Sequence, residues 1–364
     1  MQRSKYPFVM LAILGCSSNT DPGTTTTEDL THQQLRRHAH KVLGHDAGAV
    51  ENDSGTQQNN FIPAGWLYTS GNHVYVSNGT SGSVWVGRGV NVDDTYLCGY
   101  NGSQWMNAET ALTSMMSNVV TNWKPTFVRM SLSMYSYPQT PATWIGTSAY
   151  KTTMTNVIES MTKAGVYVMV TLRSDSTMQE GAGEPTGLET TSTDPTYVAL
   201  VDSFANDSHV MFGLSNEPGG NAFSNATIRS AMDHATSVIR AEEDKLGVPH
   251  HVVSVQGNGW TSDISFYGTS PLSQDNVVYE VHGYPPLASS YTYSNIPVVI
   301  GEYGTLSNAQ TFFADLESKQ IPSLAWDFEP YSNCAPDLVT VNLNPTSTVD
   351  TSWGSTVQQY LLAH

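Results

Sequence analysis

Short apolar runs recur eight times between residues 84 and 326, and almost every one is followed by a stretch able to form an amphipathic helix. This alternation predicts an α/β chain closed into a (β/α)8 TIM barrel, preceded by a β-hairpin. The length, 364 residues, suits one such barrel with an N-terminal extension. Parallel strands buried on both faces are expected to be continuous apolar runs, which these resemble. A doubly wound open sheet is the alternative, but no G-x-G-x-x-G follows any run.

The hairpin is read from His73-Val74-Tyr75-Val76, the turn Asn78-Gly79 and Val84-Trp85-Val86. The eight strands are then Val84 to Val92, Phe127 to Leu132, Val166 to Leu172 and Val210 to Leu214. Val252 to Val255, Val277 to Val281, Val298 to Ile300 and Ser323 to Trp326 complete them. Helices are expected over Ala108 to Asn122, Tyr150 to Ala164, Tyr197 to Ala205 and Ile228 to Leu246. Asn308 to Ser318 and Ser355 to Leu362 follow.

Composition narrows the partners. The net charge of -17, from 32 acids against 15 Lys and Arg, repels a polyanion, so nucleic acid is not expected. Eight Trp and 18 Tyr offer uncharged stacking faces suited to sugars, although most belong to the core. No cofactor is implied. Asp93, Asp94 and Asp175 lack a compact oxygen-ligand loop, and His32, His38, His40 and His45 have no ligand spacing, so no metal site is expected. There is no G-x-S-x-G elbow, H-E-x-x-H or P-loop.

Arg3 and Lys5 followed by Phe8 to Leu14 form an export leader, too short in its apolar part to span a bilayer. It runs into Ile13-Leu14-Gly15-Cys16, which resembles a bacterial lipoprotein signal and implies lipid on Cys16; an ordinary signal peptide is the alternative. Residues 17 to 60 are polar and read as a tether, leaving 61 to 364 for the barrel domain. Cys98 follows strand one and Cys334 follows strand eight. A closed barrel makes those strands neighbours, so an exported chain is expected to pair the two as a disulfide rather than leave free thiols.

Barrel enzymes carry their working residues at the C-terminal ends of strands. Those positions hold Arg129, Asn216-Glu217, Asn258 with Trp260, His282 with Tyr284, Glu302-Tyr303 and Trp326-Asp327. Two carboxylates across a cleft are the equipment of glycoside hydrolysis, one donating a proton and the other attacking the anomeric carbon. Arg129 is the cation that would keep Glu302 ionised, with Tyr284 donating to the same carboxylate. Asn216 would bind a sugar hydroxyl, while Trp326 and Trp260 would offer flat apolar faces. Glu217 as a plain helix N-terminal acid before Pro218 is the bland alternative, as is His282 as a core histidine. The conjunction of charged groups at matching strand ends favours catalysis.

Asn216-Glu217-Pro218 and Gly301-Glu302-Tyr303-Gly304, with Arg88-Gly89-Val90-Asn91 and His282-Gly283-Tyr284, resemble glycoside hydrolase family five, the cellulases and mannanases. The resemblance spans roughly residues 65 to 364. It implies a retaining enzyme with Glu217 as acid/base and Glu302 as nucleophile, the two about 5 Å apart. The expected substrate is a β-linked polysaccharide, first β-1,4-glucan cut by endo action and next β-mannan, taken up by a monomer. A transglycosylase with the same site, or a non-catalytic sugar-binding barrel, are the other readings. The family usually has a His at the end of strand three, where this chain has Leu172-Arg173-Ser174-Asp175.

Overall fold

The computed structural model describes residues 62–93, 108–133, 146, 148–173, 188, 191, 193–218, 222–284, 293–305, 307–328, 336–342 and 344–364. The leader with Cys16, the tether, Trp105, Trp144, Asp94, Asp175 and the cysteines Cys98 and Cys334 lie outside the described residues.

An antiparallel sheet of β1 (Leu67–Ser70), β2 (His73–Ser77) and β3 (Gly82–Val84) comes first. Eight parallel strands then close a barrel: β4 (Arg88–Asp93), β5 (Phe127–Ser133), β6 (Tyr167–Arg173), β7 (Val210–Leu214), β8 (Val253–Val255), β9 (Val277–Gly283), β10 (Val298–Tyr303) and β11 (Ser323–Ala325). β11 pairs with β4, which completes the ring. The helices are α1 (Ala108–Asn118, extended by a π turn to Trp123), α2 (Ser148–Lys163), α3 (Asp194–Phe204), α4 (Asn225–Leu246), α5 (Ser265–Thr269), α6 (Ala309–Lys319) and α7 (Ser352–Ala363). A hairpin of β12 (Val339–Asn342) and β13 (Asn344–Asp350) stands between β11 and α7.

Four features differ from the sequence reading. The expected hairpin is a three-stranded sheet, and the run from Val84 to Val92 is divided between β3 and β4. The break at 85–87 lets Trp85 turn onto Phe127 and Tyr167, with ring centroids 5.0 and 5.2 Å away. The sheet therefore caps the N-terminal end of the barrel, also tied there by Thr69 N–H donating to Asn276 Oδ1 at 2.9 Å and Tyr167 to Gly65 O at 2.8 Å. The hairpin β12–β13 and the short α5 are two further elements outside that reading, although Val339, Val341 and Leu343 alternate with polar residues.

Strand alternation sorts the core into two parts. Outward residues such as Val128, Met130, Val168, Phe212 and Ile300 pack in one cluster with Leu200, Ile239, Leu316 and Val357 of the helices. Inward residues Phe127, Met169, Met211, Val278, Val299 and Leu324 form a second cluster with Trp85, Leu67 and Val74, filling the capped end. On five of the eight strands the inward face turns polar one step further along: Asn91, Arg129, Thr171, Ser254 and Glu280, all buried. The strands are thus not uniformly apolar, and the polar inward layer is the floor of the site. Gly89 lets β4 approach β5, since a Cβ there would lie 1.5 Å from the Phe127 carbonyl oxygen.

Candidate active site

Arg129 sits at the centre, with none of its surface exposed. Its Nη1 donates to Glu302 Oε1 at 2.9 Å and to Asn91 Oδ1 at 3.1 Å, and its Nη2 donates to Asn216 Oδ1 at 2.7 Å. Its Nε lies 3.0 Å from Glu280 Oε1, an ion pair whose angle is too poor for a hydrogen bond. A guanidinium spreads its donors in a rigid plane, and here it aligns groups from four strands at once. Asn91 is itself held by its Nδ2 donating to Gly301 O at 2.8 Å.

Glu302 reaches the site through a bulge. Between β9 and β10, Val299 pairs with Glu280, Ile300 with Val281 and Glu302 with His282, so Gly301 is the extra residue. Plain alternation from the inward Val299 would aim Glu302 at the helices; the bulge turns it inward. A Cβ on Gly301 would fall 2.0 Å from Glu280 Oε1, which explains a glycine there. The other carboxylate oxygen, Oε2, accepts from the Tyr284 hydroxyl at 3.0 Å. The Tyr284 ring is 47% exposed at the mouth while its hydroxyl turns inward. Burial and the Glu302 charge hold that hydroxyl's pKa well above its ordinary value, so it remains a donor.

Glu217 leaves β7 through a strained turn, with Ser215 at φ 60° and Glu217 at φ 47°. Left-handed conformations at non-glycine residues cost about 1–3 kcal/mol each and need support. Gln256 supplies it: its Oε1 accepts from Glu217 N–H at 3.2 Å and from Thr261 Oγ1 at 2.6 Å.

His282 bridges the two acids. Its Nδ1 lies 2.7 Å from Glu217 Oε1 and 3.4 Å from Glu302 Oε1, and its Nε2 lies 2.9 Å from Glu280 Oε1. Burial alone disfavours the imidazolium, but the Glu302 charge and hydrogen bonds to Glu217 and Glu280 outweigh it, pushing the pKa up to about 10. Glu280 is likewise buried, which opposes its charge. Arg129, His282 and Ser254 more than compensate and bring it down to about 2. Both groups are charged at neutral pH.

One ligand atom each from Glu217, His282 and Glu302 lie within 4.8 Å of one another. That spacing alone would suit a metal. In the structure Nδ1 contacts Glu217, and both Glu302 oxygens accept hydrogen bonds.

Glu217, Glu302, Arg129, Asn216, His282 and Tyr284 therefore converge on one end of the barrel. Trp326, just past β11, is buried at 5% exposure, its carbonyl accepting from Trp353 Nε1 at 3.2 Å. Trp260 is 42% exposed at φ 57°, beside Thr261, whose carbonyl accepts the His282 N–H at 3.0 Å. Arg173 ends β6, but its side chain lies outside the described residues. Sequence reasoning missed Glu280, Gln256 and the pairing role of Asn91. A charged residue within Val277-Val278-Tyr279-Glu280-Val281-His282, in step with His282, was the available signal for Glu280.

Comparison with known proteins follows the same lines. The family described as Cellulase (glycosyl hydrolase family 5) matches residues 87–332, more than half of the chain. No curated protein matches. Among solved structures, the native β-glucanase SdGluc5_26A from Saccharophagus degradans superposes with TM-score 0.65 at 16% identity, covering 86% of this chain and 98% of its own. The catalytic domain of Thermobifida fusca endoglucanase Cel5A gives 0.60 at 16% identity, covering 82% and 97%. A β-mannanase from Streptomyces thermolilacinus gives 0.59 at 19% identity, covering 81% and 94%. At these identities the likeness is one of fold, and it is the family match over strands β4 to β11 that assigns the chain: it belongs to glycosyl hydrolase family 5 and is a glycoside hydrolase.

Proposed function

We propose that this glycoside hydrolase cleaves a β-linked polysaccharide by double displacement, with Glu217 as acid/base and Glu302 as nucleophile. The observation that carries the reading is the proximity of the two carboxylates, one oxygen of each lying within 4.8 Å of the other. Retaining enzymes hold their carboxyls about 5–5.5 Å apart, whereas inverting enzymes need about 6.5–9.5 Å to admit a water. Glu302 is kept as an anion by Arg129 and Tyr284, one on each oxygen, and attacks the anomeric carbon. Glu217 Oε1 is engaged with His282, so Oε2 is the oxygen that carries the proton to the leaving group. The bond to the departing sugar breaks as the ester to Glu302 forms. Glu217, now ionised, takes a proton from water, which displaces Glu302 and releases the sugar. Asn216, its carbonyl fixed by Arg129, meets the sugar beside the cleaved bond, and the exposed Trp260 supplies an apolar face, whereas Trp326 is buried.

The preferred substrate is β-1,4-glucan, cut internally. The family description and the glucanase and endoglucanase neighbours support this choice, one of which was solved with cellotetraose. β-Mannan is the second reading, favoured by the mannanase neighbour solved with mannohexaose. Soluble glucan, mannan, xylan and mixed-linkage glucan assayed in parallel, with products sized over time, test the substrate. Reducing sugar released by wild type and not by Glu302→Ala supports the site assignment; undiminished release by that variant overturns it.

The leader sequence further supports export with lipid on Cys16 and residues 17–60 as a tether. Intact-mass measurement of membrane-extracted protein tests this: an acylated chain beginning at Cys16 supports it, and an unmodified N-terminus overturns it.

A further inference from the structure

We propose that Glu280 is a positioning residue for the reaction: through its contact with His282 Nε2 it fixes that ring as a donor toward Glu217 and so holds the acid/base in its working geometry. The proposal rests on the assignment of Glu217 and Glu302 given above.

Glu280 has no exposed surface and does not reach substrate. Burying a carboxylate is unfavourable unless it is matched by charges and donors, so its presence in the barrel interior requires a reason. Neutralising Arg129 is not a sufficient one, because Glu302 already pairs with that cation at 2.9 Å. What Glu280 adds is its own set of contacts. Ser254 Oγ donates to Oε2 at 2.7 Å, Arg129 Nε stands 3.0 Å from Oε1, and His282 Nε2 stands 2.9 Å from the same oxygen. The neighbouring strand gives up a side chain at Gly301 to make room.

An ionised carboxylate only accepts hydrogen bonds, so His282 Nε2 carries a proton. The His282 peptide N–H is bound to Thr261 O, and the ring is held between Glu280 and Glu217. With Nε2 committed, Nδ1 is left facing Glu217 and Glu302. The charged and titratable groups around the ring are Glu217 beyond β7, Glu302 on β10 and Glu280 on its own strand. Arg129 on β5 stands behind Glu280 and Glu302, Tyr284 bonds Glu302, and Asp327 beyond β11 acts on Tyr284. Removing the charge of Glu280 loosens the ring and weakens its hold on the second proton. Nδ1 then ceases to be a fixed donor, and Glu217 loses the contact that reserves Oε2 for proton transfer.

The test compares wild type with Glu280→Gln, which keeps the shape, and Glu280→Asp, which keeps the charge. Ring-nitrogen NMR of His282, assigned by loss of its signals in His282→Gln, is followed across pH alongside kcat and KM. In wild type the His282 ring should carry both protons at pH 7 to 8. In Glu280→Gln, kcat should fall roughly ten- to hundredfold with KM little changed, by analogy with the loss of carboxylates that orient metal-bound histidines. The His282 titration and the alkaline limb of kcat should both move to lower pH, and Glu280→Asp should restore part of each. Wild-type His282 titrating at or below the ordinary histidine value would overturn the proposal without any variant. So would a His282 titration and pH profile in Glu280→Gln identical to wild type. If the latter came with activity still abolished by Glu302→Ala, only the role of Glu280 would fall; activity independent of Glu302 would instead remove the underlying site assignment, and the proposal with it.

Discussion

Arg129 Nη1 donates to Glu302 Oε1 at 2.9 Å from a guanidinium with no exposed surface. The same side chain aligns Asn91 and Asn216 and offsets Glu280, so it organises the site and neutralises the barrel interior together. Arg129→Ala would take the guanidinium from two buried carboxylates, Glu302 and Glu280, leaving only His282 as a cation between them. Breaking a buried pair in this way costs about 3–5 kcal/mol, so the urea midpoint should fall sharply and activity should be lost at every pH. A variant with a wild-type midpoint would contradict this reading of the interior.

Gly301 is the extra residue of the bulge that turns Glu302 inward. In Gly301→Ala the new Cβ would meet Glu280 Oε1 at 2.0 Å and Cγ at 2.4 Å, with no flexible end able to withdraw. Overpacking of this kind costs about 1–3 kcal/mol, and the displaced bulge should lower kcat as well. Thermal denaturation and kinetics at saturating substrate measure both; unchanged values in the two would show that the bulge has slack.

Trp260 is exposed on a loop whose neighbour Thr261 is hydrogen-bonded to the His282 backbone. Trp260→Ala should leave stability nearly unchanged and raise KM roughly tenfold, the equivalent of one aromatic contact of about 1–1.5 kcal/mol. If KM stays constant and only stability drops, the indole is packing rather than a sugar platform.

Glu317 on α6 accepts from Arg88 on β4 and from the Tyr360 hydroxyl on α7, the latter at 2.6 Å. Burial opposes its charge, but the hydrogen bonds from Arg88 and Tyr360 prevail, and its pKa is lowered from the ordinary 4.5. A carboxylate depressed on folding stabilises above its unfolded pKa, and that contribution disappears as pH falls through the folded one. Melting temperature should therefore drop below pH 4.5 more steeply in wild type than in Glu317→Gln. Parallel acid-side slopes in the two proteins would count against the ion pair as a fastener of the last helix.

The barrel was legible because its outward strand residues and helix faces repeat with clear periods, from Val128 and Met130 to Ile239 and Val357. Arg129, Glu217 and Glu302 were legible for a different reason: a charged residue within or just beyond an apolar run stands out. The bulge at Gly301 was not, since one extra residue leaves no mark on composition, and plain alternation would point Glu302 the wrong way. Neither was the support of Glu217 by Gln256, because a buried glutamine beyond a three-residue strand looks like any loop residue. The N-terminal sheet was read as a hairpin because Leu67–Ser70 holds one strongly buried residue, too little for a period.

The central claim is that Glu302 forms a covalent glycosyl ester. A cellobioside carrying fluorine at C2 and a good leaving group at C1 slows both steps, the second more, so an ester accumulates. Peptide mapping by mass spectrometry after this treatment is the most direct test. The account predicts one added disaccharide, on the peptide containing Glu302 and on that residue. A stable adduct on Glu217, or on any other side chain, would contradict it.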